Sequence, residues 1–137
     1  MNNQTKQKLY YIARSAMVCV IFYISIALFY SIIGPQKNIN PLALIVYFLL
    51  IIFPLILGIL SFRNYISSSV ILFIVSSVYF IYILLSDYTY GKYENLQSSI
   101  INTFRMTLIF SIICFASGLV TNIIKRLIKR NKKKTVN

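Results

Sequence analysis

The chain has 137 residues, of which 58% are hydrophobic and 12% charged, with a mean hydropathy of +0.77. Soluble domains carry about 25% charged residues, so this composition excludes a water-solvated globule and makes lipid the expected solvent, at a length that suits one bundle and no second domain. Lys and Arg number 14 against 2 acidic residues, a net charge of +12, but the bases flank apolar runs rather than coat a surface, which reads as topology signalling and against nucleic-acid binding.

Lys6, Lys8 and Arg14 precede the first apolar run, a predicted span over residues 13–34 containing VCVIFYISIALFYSII. That run exceeds the apolar core of a cleaved signal peptide, about 7–15 residues. Its nearest small-x-small site, Ser25-Ile26-Ala27, is embedded in apolar sequence. An uncleaved anchor is therefore expected. Gly34-Pro35 ends the span, because Gly accepts the left-handed cap and Pro cannot continue the helix.

Asn40-Pro41 opens the second span, residues 42–62, with Asn as cap and Pro at the first helical position. Pro54 lies near its centre, with Gly58 one turn on. Proline there removes a hydrogen bond and crowds the Leu50 carbonyl, so a kink is predicted, with a functional hinge as the alternative. The short link around Arg63-Asn64 predicts that the second and third helices are antiparallel neighbours.

The third span, residues 66–86, carries Ser67, Ser68, Ser69, Ser76 and Ser77. Ser69 and Ser76 share a face suited to close helix packing. A connection from Asp87 to Ser98 follows, holding both acids of the chain, Asp87 and Glu94, among Tyr88, Tyr90 and Tyr93. Tyrosines there suit a membrane interface, and the cluster also offers a contact surface for a partner.

The fourth span, residues 101–124, bears a small-residue stripe: Thr103, Thr107, Ser111, Cys114, Gly118 and Thr121. Such stripes let helix backbones approach closely. Arg105 lies about 200° round the helix from Thr107, so it is expected to point away from that stripe. It reads either as a side chain reaching for the outer interface or as a partner for Asp87, Glu94 or an anionic ligand. The basic tail, residues 125–137, begins with Ile and Leu on one arc and Lys and Arg on the other. The fourth helix is therefore expected to continue for a turn or two as an interfacial anchor on anionic lipids.

Each run meets the requirement of about 20 apolar residues for a helix crossing a hydrocarbon core of about 30 Å. The predicted fold is all-α: an integral membrane protein built as an antiparallel bundle of four transmembrane helices. The N-terminal bases, Arg63 and the tail bases outnumber Lys37, Lys92 and Arg105 eleven to three. By the positive-inside rule, both termini are then cytoplasmic. Abundant Ile, Asn and Lys with little Ala fits AT-rich coding, and the expected location is the plasma membrane of a low-GC bacterium.

The chain has no His, no paired carboxylates within an apolar run and no nucleophile beside a base, so enzymatic activity is not expected. Cys19 and Cys114 stand alone without metal-ligand spacing, and neither cofactor nor metal is expected. Small four-helix multidrug exporters have a similar size, but that family depends on a glutamate in its first helix, and the first span here contains no acid. Lipid-linked sugar translocators share only the number of spans. The functional candidates are Arg105, Pro54, Asp87 and Glu94. The expected role is a non-enzymatic interaction, accessory or immunity-type membrane protein. Its partners are the bilayer, anionic lipids at the cytoplasmic face, and a larger membrane protein or further copies of itself. A small oligomeric transporter or flippase is the alternative, and a holin-like pore a weaker one.

Overall fold

The protein is described from a computed structural model covering the backbone of residues 3–33, 41–89 and 96–134, with side-chain surroundings for residues 5–28, 45–46, 48–85 and 97–131. Four helices account for all of the described backbone except one turn. They are α1 (Asn3–Ile33), α2 (Pro41–Leu60), α3 (Tyr65–Thr89) and α4 (Leu96–Lys134). The turn Ser61–Asn64 is tight. Ser61 N–H donates to the Leu57 carbonyl at 2.9 Å, and Asn64 N–H to the Ser61 carbonyl at 2.8 Å. The Asn64 carbonyl then accepts from Ser68 N–H at 3.0 Å, the first bond of α3.

α1, α3 and α4 outrun the predicted spans, α1 and α4 through stretches rich in the helix formers Lys, Arg and Gln, whereas α2 ends two residues before its predicted limit. α1 begins at Asn3 rather than near residue 13, because no Gly or Pro interrupts the segment carrying Lys6, Lys8 and Arg14. α3 continues to Thr89, so Asp87 and Tyr88 belong to helical backbone and not to the connection in which the sequence placed them. α4 runs 39 residues and takes in most of the basic tail, continuing to Lys134, about 2.8 turns past residue 124 against the one or two expected. At about 1.5 Å per residue it spans about 58 Å, nearly twice a hydrocarbon core of about 30 Å.

Three segments are long and apolar enough to cross a membrane: Thr5–Leu28, Tyr65–Leu85 and Gln97–Asn131. Within α2 the apolar stretch that qualifies among the described residues, Phe48–Leu60, is shorter. The outer surface is apolar as well. On α3, Ile66, Val70, Ile74, Val78 and Tyr82 recur every fourth residue, and each is more than half exposed. Soluble monomers rarely display so continuous an apolar face.

The interior is built from all four helices. Cys19, Tyr23 and Ile26 of α1 meet Val46, Leu50 and Leu57 of α2, Leu72 of α3, and Phe110 and Cys114 of α4. Aromatic rings tie the layers together. Phe22 stacks on Phe53 at 3.7 Å between centroids, Tyr23 packs against Tyr79 at 4.8 Å, and Phe80 lies 6.3 Å from Phe110. α1 packs on α3, α2 packs on α4, and α3 and α4 share the largest interface. α2 and α3 do touch, but each has its main partner in α4. The short turn joins them without making them the principal pair.

Candidate functional site

Two features combine polar side chains with helix contacts: a seam along α4, and a cavity at the end of the bundle holding the Ser61–Asn64 turn. The seam uses the small residues that the sequence singled out. Ser77 Oγ donates to Thr107 Oγ1 at 3.2 Å, and Ser111 Oγ donates to the Ser69 carbonyl at 3.0 Å. Further along, Tyr65 packs edge-on to Phe115. Other hydroxyls bond back to their own helices: Ser69 to the Ile66 carbonyl, Ser76 to that of Leu72, Thr107 to that of Phe104. Such bonds satisfy a buried hydroxyl without any outside partner.

Glycines set the closest approach. A Cβ on Gly58 of α2 would collide with Ser117 Oγ and the Cys114 carbonyl of α4. One on Gly118 would meet Tyr65 Cβ and lie 3.0 Å from the Gly58 carbonyl oxygen. α4 therefore contacts α2 and α3 through the same small-residue stripe. Pro54, one turn before Gly58, is fully buried, and α2 remains helical through it.

A partly open cavity of about 280 Å³ lies between the N-terminal half of α1 and the α2–α3 turn. Arg14 and Arg63 both line it, with Tyr11 and Asn64 beside them and Leu57 and Leu60 forming an apolar wall. A hydrogen bond between Ser15 and Ser68, 2.9 Å between hydroxyl oxygens, joins α1 to α3 at this site. None of the lining residues is acidic. Beside it, Lys125 Nζ sits 3.5 Å from the Phe62 ring centroid, a cation–π contact that brings the start of the basic tail to the same turn. No known protein family, curated protein or solved structure matches this chain.

The residues picked from sequence do not converge. Arg105 is exposed on α4, nine residues after the helix begins, or about 13 Å along its axis. It points away from the buried Thr107. Pro54 is buried at the α2 core, the Asp87 backbone belongs to the last turn of α3, and the Asp87 side chain and all of Glu94 lie outside the described residues. Arg14 and Arg63 were legible only as topology signals. Their lining one cavity depends on α1 lying along α3, a contact between residues 53 apart in sequence at Ser15 and Ser68. The one sequence cue to it is a serine at the end of each apolar run.

Among the described residues, no group of three His, Cys, Asp or Glu could hold a metal ion. The lining combines two cationic side chains, both exposed, with neutral hydroxyl and amide groups and an apolar flank.

Proposed function

We propose that this chain is a multi-pass protein of a bacterial plasma membrane, an antiparallel bundle of four transmembrane helices with both termini cytoplasmic. It acts without enzymatic chemistry, as an interaction, accessory or immunity-type subunit of a larger membrane assembly. The observation carrying the role is how its polar residues are used. Ser77, Thr107, Ser111, Gly58 and Gly118, which could have lined a conduit, instead close the α2–α4 and α3–α4 contacts, while apolar side chains face outward.

The register of the contacts supports the antiparallel arrangement. Partners climb together on α1 and α3, from Ser15–Ser68 to Tyr23–Tyr79. They run oppositely on α3 and α4, from Tyr65–Phe115 to Ser77–Thr107. Arg14, Arg63 and Lys125 gather at one end, as the positive-inside rule requires of a cytoplasmic face. α2 counts as the fourth span because its 20 residues contain no charge.

Crosslinking in native membranes, followed by extraction in mild detergent and native mass measurement, tests the role. A stoichiometric complex between the 15.8 kDa chain and a second integral membrane protein is expected. A chain recovered only as itself, with ion or solute flux in proteoliposomes, contradicts it in favour of transport.

A further inference from the structure

We propose that the cavity between α1 and the α2–α3 turn binds the phosphate of an anionic amphiphile, with the headgroup held by Arg14 and Arg63 and its apolar portion lying along Val18 and Leu60. Arg14 and Arg63 line one cavity, both with exposed side chains, Arg63 lying 5.8 Å from the Phe62 ring centroid, and no acidic residue is among the lining residues. The planar guanidinium fork matches the oxygens of a phosphate, where it forms paired charge-assisted hydrogen bonds. The site also lies against the first turn of α3, since Asn64 and Ser68 line it and α3 begins at Tyr65. The partial positive charge of a helix N-terminus adds to the attraction for an anion.

The shape points to an amphiphile. A volume of about 280 Å³ lies just below the usual range of ligand sites, about 300–1,000 Å³, and accommodates a headgroup rather than a whole lipid. At the rim, Leu60 is 71% exposed and Val18 39%, so an acyl chain can leave the cavity along an apolar exterior. Basic cavities between transmembrane helices at the cytoplasmic face are suited to anionic headgroups. The natural source of the ligand therefore rests on the sidedness proposed above, whereas binding in detergent does not, because a micelle has no sides. Failure of one is thus distinguishable from failure of the other.

The test is native mass spectrometry of the full chain in neutral detergent, titrated separately with dioleoyl phosphatidylglycerol, dioleoyl phosphatidylcholine and glycerol 3-phosphate. Phosphatidylglycerol is expected to bind at least tenfold more tightly than phosphatidylcholine. Arg14→Gln with Arg63→Gln should abolish that preference, while Lys129→Gln with Arg130→Gln, which removes the same charge from the exposed tail, should change it less than twofold. Val18→Trp fills the apolar rim at a partly exposed position without altering charge, and it too should weaken binding at least tenfold. Glycerol 3-phosphate binding as tightly as the lipid, with the same arginine dependence, keeps the phosphate site but overturns the amphiphile as its ligand. Unchanged phosphatidylglycerol binding in the arginine pair or in Val18→Trp, or equal loss in the tail pair, overturns the site.

Discussion

A methyl group on Gly58 meets the Cys114 carbonyl as well as the Ser117 hydroxyl, and a backbone carbonyl in a packed helix cannot swing aside. Replacing Gly by Ala inside a helix normally stabilises it by about 1 kcal/mol, whereas overfilling a packed contact costs about 1–3 kcal/mol. The second effect wins here. Gly58→Ala is expected to lower the detergent-solubilised protein's stability by about 1–2 kcal/mol, read as a fall in Tm of several degrees. Arg105→Ala, at an exposed position, should stay within about 0.5 kcal/mol of the parent in the same thermal scan. The sequence marked Gly118 as part of a packing stripe, and the structure seats it against Tyr65 and Gly58. Gly58 was legible only beside Pro54 as a break in the helix. Nothing in one sequence specifies which helix faces which, so its packing role emerged only when α2 met α4.

The α3–α4 pair is the element whose contacts were most legible, because serines on one helix and small residues on the other each recur at helical spacing. One of its polar links, Ser77 to Thr107, is buried and long for a hydroxyl pair at 3.2 Å. Interhelical hydroxyl bonds in membrane bundles average about 0.6 kcal/mol, since each hydroxyl can fall back on its own helix. A double-mutant cycle of Ser77→Ala and Thr107→Ala should therefore return a coupling of about 0.5–1 kcal/mol in reversible unfolding, and additivity of the two changes would exclude the link as a stabilising contact. The aromatic packing of Phe22, Tyr23, Phe53 and Tyr79 was not legible. Phe and Tyr occur throughout the apolar runs, and their identities do not distinguish a ring facing lipid from one facing a neighbour. The tail was legible in kind but not in extent. Ile123, Ile124, Leu127 and Ile128 are all about half exposed on α4, which leaves an apolar strip beside the bases Lys125, Arg126, Lys129 and Arg130 for the membrane interface.

At the scale of the whole molecule, the helices follow from composition, because an apolar chain must satisfy its amides internally. Their lateral order does not. It rests on shape, with α4 packed closely on α2 and α3 where small residues allow it and α1 reaching α3 through Ser15 and Ser68. The same order brings Arg14, Arg63 and Lys125 to one end, which the proposed sidedness places in the cytoplasm. Cys19 and Cys114 are both 0% exposed and form no disulfide, so the native thiols should be silent toward a membrane-impermeant maleimide, and single cysteines placed elsewhere can report their side. The decisive measurement is labelling of Asn95→Cys and Lys129→Cys in intact cells and again after permeabilisation. Labelling of Asn95→Cys in intact cells, with Lys129→Cys reactive only after permeabilisation, is the predicted result. The reverse pattern, or both positions reactive on the same side, contradicts a four-span bundle with its basic end in the cytoplasm.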